Sequence, residues 1–226
     1  MNPQETLSQL DQLIQSRSIL CHPFYVAWQL GELTREQLAT YAQVYYPHVA
    51  AFPGYLQAAI EATGDPGVRQ ELERNLADEI ANPKPHPELW LDFAAGLGLD
   101  PATVVGAEAR PAAIQMVSTF DRLTRGDSAA ALAALYAYES QQPEVSRQKI
   151  EGLRLHYGVD SPETLAYFEV HAEADIQHRD GERQAILRCQ AAGASAKVAL
   201  ESAEQALQAY WGLLDGICEE AGITRG

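Results

Sequence analysis

Cysteine is scarce in this 226-residue sequence, which contains only Cys21, Cys189 and Cys218. Such a sparse, odd-numbered and widely spaced set excludes a disulfide framework and a cysteine-based zinc site. The N-terminal segment MNPQETLSQLDQLIQ also lacks the basic region and apolar run of a signal peptide. We therefore expect a cytoplasmic protein in a reducing compartment.

Basic residues are also few. The 16 lysines and arginines stand against 31 acidic residues, which leaves a formal net charge of −15 at pH 7. A negative field of this size repels phosphate backbones and anionic lipid headgroups, so it disfavours nucleic acid and membranes as partners. No stretch approaches the roughly 20 apolar residues of a membrane-spanning helix.

Helix-forming residues are abundant instead. Alanine, leucine, glutamate and glutamine dominate while strand formers are thin, which predicts an all-α protein. Capping residues followed by proline predict helix starts; they stand at Asp65-Pro66, Asp100-Pro101 and Ser161-Pro162. Thr34 and Gln37 have the spacing of a capping box. Since no linker interrupts the pattern, we expect residues 1–226 to form a single helical domain, built as a bundle.

Prolines predict where the helices bend or stop. The long helix that begins after Thr34 is expected to bend near Pro47 and Pro53. Another long helix is expected from Asp127 to near Gly158, with a kink or local opening that Pro143 causes close to Glu139. The helix before residues 82–87 must stop there, because that segment, NPKPHP, contains three prolines.

The most informative local motif is HAEADIQH at residues 171–178. His171, Asp175 and His178 are spaced i, i+4 and i+7, so a helix places them on one stripe. Two imidazoles and a carboxylate pointing the same way suit iron, manganese or zinc. The alternative is a polar face exposed to solvent.

Three further donors extend this set. Glu139 lies in the apolar stretch AALAALYAYES, where a carboxylate needs either a metal or a partner such as Arg147. Glu79 lies on the helix before the proline-rich segment, and His86 lies within that segment. An irregular stretch must therefore deliver His86 to the site, or else it is a loop histidine that caps a helix.

Charge favours two metal ions if all six donors converge. The three carboxylates would repel one another and at least one would take up a proton, whereas two divalent cations would set four positive charges against three negative ones and leave the site near neutral. Helical di-iron proteins use carboxylates of this kind together with Glu-x-x-His pairs. Asp175 and His178 have the same spacing.

Beyond the donors, the sequence resembles the family of the chlamydial protein associating with death domains, within the haem-oxygenase-like dimetal oxidases. The resemblance covers most of the chain up to about residue 190. It rests on HPFYVAW (22–28), GELTREQL (31–38), YY (45–46), AFP (51–53), DE (78–79), GDS (126–128), LYAYES (135–140), KIEG (149–152), YFEVH (167–171) and ADIQH (174–178).

This resemblance implies a haem-oxygenase-like bundle of seven or eight helices without haem, and a homodimer. It implies two metal ions, Fe/Fe or Fe/Mn, with dioxygen and a reductant from an unidentified electron donor as co-substrates. The metal ligands implied are Glu79, His86, Glu139, His171, Asp175 and His178. The activity implied is synthesis of 4-aminobenzoate for folate from the protein's own Tyr25, with Lys149 as amino donor and Tyr41 near the centre.

Other readings of the same residues stay open. The aromatic residues can simply pack the core, and Lys149 can be a solvated surface lysine. Thiaminase-type enzymes of this fold use a cysteine, for which Cys21 is the nearest match. Pyrroloquinoline-quinone synthase needs many basic groups, which this chain lacks. A non-catalytic interaction protein would need no metal donors.

Overall fold

The computed structural model describes residues 1–81 and 84–224, and these residues form no β-strand. Their helices are α1 (Pro3–Ser16), α2 (Pro23–Leu30), α3 (Arg35–Ala62), α4 (Pro66–Ala81), α5 (His86–Gly96), α6 (Pro101–Gly106), α7 (Pro111–Thr124), α8 (Ser128–Glu139), α9 (Gln142–His156), α10 (Pro162–Ala191) and α11 (Ala196–Glu220). A 3₁₀ turn, Ile19–Cys21, precedes α2. The predicted all-α class is confirmed. The described ranges contain eleven α-helices, of which α2 and α6 are short, and α8 and α9 occupy the stretch that was expected to form one helix.

The helix starts follow the capping signals in the sequence. Thr34 and Gln37 form a reciprocal capping box at the start of α3. The side chains of Asp100 and Ser161 accept hydrogen bonds from backbone N–H groups at the starts of α6 and α10. Each cap provides an acceptor for an N–H group that the helix itself leaves unpaired. The α3 helix continues through its two prolines.

The expected continuous helix from Asp127 to Gly158 is wrong, because α8 ends at Glu139 and α9 begins at Gln142. Pro143 has no N–H to donate to the carbonyl of Glu139, so the helical ladder is interrupted there. The opening that was expected near Glu139 is therefore a full break, with Pro143 in the first turn of the new helix. This break leaves Glu139 at a helix end.

Helix α8 lies at the centre of the bundle, since every residue of it from Ala129 to Glu139 is buried. It packs against α7, α10 and α11, and α3 covers its remaining side. Alanines along α8 allow these neighbours a close approach. The buried apolar side chains form one connected cluster from Leu7 to Cys218. None of the helices in the described ranges combines the length and low polarity needed to cross a membrane.

Gly152 allows close packing between α9 and α2. A Cβ atom at this position would lie 2.7 Å from Cδ1 and Nε1 of Trp28, a rigid side chain that is 1% exposed. The indole Nε1 donates a hydrogen bond to the carbonyl oxygen of Lys149, 3.3 Å away. The glycine therefore keeps Trp28 against the backbone that carries Lys149.

Replacing Gly152 with alanine is expected to destabilise the protein. Overpacking a buried contact costs about 1–3 kcal/mol, and the better helix propensity of alanine returns about 1 kcal/mol of that. Gly212→Ala is the matched control, because nothing lies within 4 Å of a Cβ atom at this helical position. Urea unfolding should give a lower free energy for G152A and a slightly higher one for G212A. Equal gains in both variants would contradict the packing argument.

Candidate metal centre

Glu79, His86 and His171 form the first group of donors. Glu79 lies near the end of α4, His86 is the first residue of α5, and His171 lies on α10. Nδ1 of His86 is 2.9 Å from Oε1 of Glu79, and Nε2 of His171 is 3.7 Å from the same oxygen. All three side chains are buried, and one ligand atom of each lies within 4.8 Å of the others.

His86 reaches this group because α5 begins with it. It is fully buried, so the alternative of a loop histidine that only caps a helix is wrong. The predicted irregular segment is short, since α4 ends at Ala81 and α5 starts five residues later. Asn82 and Pro83, two members of that segment, lie outside the described residues.

Glu139, Asp175 and His178 form the second group, again with one ligand atom of each within 4.8 Å of the others. Nδ1 of His178 is 3.2 Å from Oδ1 of Asp175 and 3.9 Å from Oε1 of Glu139. Arg147 pairs with Glu144 instead of Glu139, so the alternative partner considered for Glu139 is wrong.

The 171–178 stripe is buried instead of solvated. His171, Asp175 and His178 are 5%, 1% and 7% exposed, which excludes a polar surface face. Both groups face one small cavity between α3, α4, α8 and α10. Its lining comprises Val49, Phe52, Glu79, Tyr138, Glu139, Tyr167, His171 and Asp175.

The donors fit a pair of divalent metal ions in three respects. The imidazoles and carboxylates are the ligand types of iron, manganese and zinc in helical proteins. Each group supplies three donors, the usual number where a coordination position stays open. Oδ2 of Asp175 and Nε2 of His86 are buried without a hydrogen-bond partner among the described residues, as ligand atoms awaiting an ion would be.

The glutamates of the two groups have pKa shifts in opposite directions. Burial alone would raise the pKa of Glu79, but His171 and His86 outweigh burial and lower that pKa to about 2. Burial dominates at Glu139 and raises its pKa, with Asp175 adding to the effect. Burial opposes the charge of His178, yet Asp175, Glu139 and Asp78 together raise its pKa to about 10.

These pKa shifts indicate that, without metal ions, bound protons offset the negative charge of the carboxylates. The imidazolium of His178 balances nearby carboxylates, and Glu139 retains a proton more readily than an exposed glutamate. Metal ions bind deprotonated ligands, so binding would displace these protons.

Two polar residues that the sequence analysis did not single out orient the second group. The Asn75 amide donates to both Glu139 oxygens, at 2.9 and 3.1 Å, and Asp78 Oδ2 lies 3.0 Å from Nε2 of His178. A carboxylate on the far nitrogen of a ligand histidine fixes its tautomer and ring orientation. Asn75 lies one helical turn before Glu79, so its position on that face could have indicated it.

A third buried residue, Glu182, also escaped the sequence analysis. It lies on α10 one turn after His178, is 3% exposed, and its carboxyl group lies against that of Glu139. Burial, together with the negative charges of Glu139 and Asp175, raises the pKa of Glu182 well above its usual range. The i+4 spacing from His178 was the signal that could have found it.

Lys149 lies among buried aromatic side chains in a lysine–tyrosine cluster formed by Tyr25, Tyr41 and Lys149. It is 2% exposed, so the alternative of a surface lysine is wrong. Its Nζ donates a hydrogen bond to the hydroxyl of Tyr41 at 2.6 Å and lies 5.2 Å from the ring centroids of Tyr25 and Tyr41. Burial lowers the pKa of Lys149 well below its usual value. The pKa of Tyr25 is raised by burial and by the nearby hydroxyls of Tyr210 and Tyr41. Burial therefore favours the neutral amine and the neutral phenols in this lysine–tyrosine cluster.

One layer of aromatic rings separates this lysine–tyrosine cluster from the cavity beside the donor groups. Tyr138 and Tyr167 line the cavity. The hydroxyls of Tyr45 and Tyr138 are 2.9 Å apart, and the rings of Trp90 and Tyr167 are 4.8 Å apart. Lys149 Nζ lies 5.6 and 6.0 Å from the ring centroids of Tyr45 and Trp90.

Tyr25, Tyr41 and Lys149 are thus neighbours of one another, although none of them belongs to the described lining of the cavity. Glu139 and Lys149 lie on different helices, because the chain breaks between α8 and α9. Tyr25 reaches Lys149 from α2 and Tyr41 reaches it from α3.

Comparison with known proteins places this arrangement in a family. A family model of the haem oxygenase type, described as an iron-containing redox enzyme, matches residues 39–211. The 4-aminobenzoate synthase of Nitrosomonas europaea is 42% identical over 221 residues, covering 93% of this chain and 90% of that protein. The 4-aminobenzoate synthase of Chlamydia trachomatis is 42% identical over 214 residues, covering 94% and 92%.

A solved structure has the same fold. A CADD-like protein of unknown function from Nostoc punctiforme superposes with a TM-score of 0.77 at 22% sequence identity, covering 97% of this chain and 98% of that chain. The sequence matches extend over nearly the full length of both partners, and they include the helices that carry both groups of donors. The chain therefore belongs to the haem-oxygenase-like family of iron-containing redox enzymes that includes the 4-aminobenzoate synthases.

Proposed function

We propose that this protein uses a pair of metal ions, Fe/Fe or Fe/Mn, to activate dioxygen and make 4-aminobenzoate, a unit of folate. The carbon skeleton would come from its own Tyr25 and the nitrogen from Lys149, so each chain would act once or a few times. The observation that carries the proposal is the pairing of two buried donor groups with a buried lysine that contacts tyrosines.

The two groups of ligands would hold the ions side by side. Glu79, His86 and His171 would hold one ion, and Glu139, Asp175 and His178 the other. Such a metal pair, when reduced, supplies the electrons and binding positions for dioxygen activation. The protein orients its ligands through Asn75 and Asp78 and keeps bulk water out by burying every donor.

The lysine–tyrosine cluster would provide the atoms of the product. The ring and Cβ of Tyr25 match the ring and carboxyl carbon of 4-aminobenzoate, and Lys149 Nζ matches its amino nitrogen. Product release requires cleavage of the Cα–Cβ bond of Tyr25 and oxidation of Cβ to the carboxyl carbon, with dioxygen as the oxidant. The Lys149 nitrogen would replace the phenol oxygen, which would leave as water. The Nζ–Cε bond of Lys149 would then break by oxidation and hydrolysis, which leaves Cε as an aldehyde. A neutral lysine amine has the free electron pair that bond formation to carbon needs, and burial favours that form.

The thiaminase-type alternative finds little support at Cys21. This cysteine is exposed, lies on the 3₁₀ turn before α2, and is absent from the described lining of the cavity. The homodimer and the cytoplasmic location stay predictions.

The test is aerobic incubation of protein loaded with Fe²⁺, or with Fe²⁺ and Mn²⁺, in the presence of a reductant. We expect 4-aminobenzoate in the filtrate and a matching loss of mass in the intact chain. Metal-free protein treated in the same way should form none. Product without any change in chain mass would contradict a self-derived precursor and point to an external substrate.

Replacing Glu139 with alanine is expected to lower the bound metal from two ions per chain to at most one and to abolish the product. The reason is that this carboxylate is one of the three donors of the second group and is held in place by hydrogen bonds from the Asn75 amide. Elemental analysis after gel filtration measures the metal, and circular dichroism checks the fold. Glu151→Ala, at an exposed position of α9, is the control. A protein that acts only by binding partners would keep its function in both variants.

A further inference from the structure

Glu182 is a buried carboxylate without a cation. Neither of its oxygens has a hydrogen-bond partner, and no lysine, arginine or histidine forms an ion pair with it within residues 1–81 and 84–224. Its charged neighbours are two further carboxylates, those of Glu139 and Asp175. A buried carboxylate in such surroundings is strongly unfavourable unless a proton or a metal ion neutralises it.

The helix places Glu182 in line with the other donors. His171, Asp175, His178 and Glu182 follow one another at steps of four, three and four residues. Since α10 turns about 100° per residue, eleven residues bring the chain back to within about 20° of the same face. Glu182 therefore continues the stripe of ligands by one more turn, on the side of the second group.

Charge balance gives an independent argument. With Glu182 the site holds four buried carboxylates, together with Glu79, Glu139 and Asp175. Two divalent cations carry four positive charges, so four carboxylates neutralise them fully while three leave an excess. The carboxyl group already lies against Glu139, and rotation about the side-chain torsions could bring an oxygen to the ion that Glu139 would hold.

We propose that Glu182 is a fourth protein ligand of the metal ion held by Glu139, Asp175 and His178. This inference rests on the proposed dimetal function. It makes the two positions chemically unequal, because the second has three carboxylates and one imidazole, whereas the first has one carboxylate and two imidazoles. Carboxylate-rich positions suit harder ions such as Mn²⁺, so Mn²⁺ is the appropriate probe.

The Glu182→Gln variant distinguishes whether a proton or a metal ion neutralises the Glu182 carboxylate. If Glu182 is a protonated acid that only hydrogen-bonds to Glu139, the amide of Glu182→Gln can donate the same bond and metal binding should persist. If Glu182 is a ligand, the uncharged amide is a much weaker one. Glu71→Gln is the control, because Glu71 lies in the same crevice on α4 but is half-exposed and pairs with Arg74.

The experiment is a titration of the metal-free full-length chain with Mn²⁺, in which the six-line electron paramagnetic resonance signal measures the unbound ion. Wild-type protein and E71Q are expected to bind two Mn²⁺ per chain. E182Q is expected to bind one with unchanged affinity and the second at least about tenfold more weakly. Glu182→Asp, which keeps the charge on a shorter side chain, should retain more of the second affinity than E182Q.

Two results would overturn the inference. One contradicts only the ligand role of Glu182, and the other contradicts the dimetal function as well. Two Mn²⁺ bound with wild-type affinities by a folded E182Q would show that Glu182 is a proton-holding partner of Glu139. Fewer than two Mn²⁺ bound by the wild-type protein would overturn the dimetal function itself, and the assignment of Glu182 with it.

Discussion

Replacing Tyr25 with phenylalanine is expected to abolish 4-aminobenzoate formation while both metal ions stay bound. Tyr25 is 1% exposed, and its ring lies 5.2 Å from the Lys149 amine, so the two side chains can react without a large movement of either. The phenol oxygen marks the ring carbon at which the amino group would be placed. Phenylalanine lacks this oxidisable group, and its ring is far harder to oxidise.

The same substitution should leave the fold almost unchanged. The Tyr25 hydroxyl has no hydrogen-bond partner in the described part of the chain, so removing it leaves no other polar group unpaired. Tyr55→Phe is a closely matched control. The hydroxyl of Tyr55 is likewise buried and without a partner among the described residues, but it lies among His48, Phe52 and Phe120, about four helical turns along α3 from the Tyr41 that contacts Lys149.

Mass spectrometry measures both the product and the chain. Wild-type protein and Y55F should lose mass within the peptide that contains residue 25, and Y25F should lose none. Protein grown on ring-labelled tyrosine should transfer that label to 4-aminobenzoate. Product from Y25F in full yield, or an unlabelled product from labelled protein, would exclude Tyr25 as the precursor.

The helices and their boundaries were largely predictable from the sequence, because local chemistry decides them. Capping residues and prolines fix where α3, α6 and α10 begin, and they do so within a few neighbouring residues. The break between α8 and α9 was predicted only as a kink. Local sequence shows that Pro143 removes a hydrogen bond, but the packing of the surrounding helices decides whether the chain bends or separates.

The convergence of the six donors depended on tertiary structure. The spacing from His171 to His178 predicted one stripe, whereas bringing Glu79 and Glu139 to it requires both α4 and α8 to pack against α10. Glu182 and Asp78 were missed because acidic residues are common on helix surfaces, and sequence alone does not reveal which ones are buried. For the same reason SRQKIEG gave no sign that Lys149 is buried.

Replacing Lys149 with methionine is expected to abolish the product while making the metal-free protein more stable near neutral pH. Methionine has a similar length but no amine, so the amino donor is lost and the apolar stem is kept. Folding the wild-type chain requires the Lys149 amine to leave water, and this burial lowers its pKa well below the ordinary value near 10.5. The variant does not have this cost, although it loses one hydrogen bond to Tyr41.

The pH dependence of the unfolding free energy shows whether burial of the Lys149 amine causes the difference in stability between K149M and the wild type. Between the lowered folded pKa and about 10.5, the unfolded chain binds one proton at Lys149 that the folded chain does not, so wild-type stability rises with pH. The slope that Lys149 contributes is about 1.4 kcal/mol per pH unit. The advantage of K149M over the wild type should therefore shrink as the pH rises, by as much as about 2.7 kcal/mol between pH 7 and pH 9. The lost hydrogen bond changes the size of that advantage at each pH and leaves its slope unaltered.

Urea unfolding of the metal-free proteins at several pH values measures this slope, and the difference between variants cancels the titration of every group they share. Lys197→Met is the control, because the Lys197 side chain is 81% exposed and its removal should change the stability by a pH-independent amount. A constant difference between K149M and the wild type would mean that Lys149 stays protonated in the folded chain. The neutral amine that the proposed nitrogen transfer requires would then be missing, even if K149M made no product.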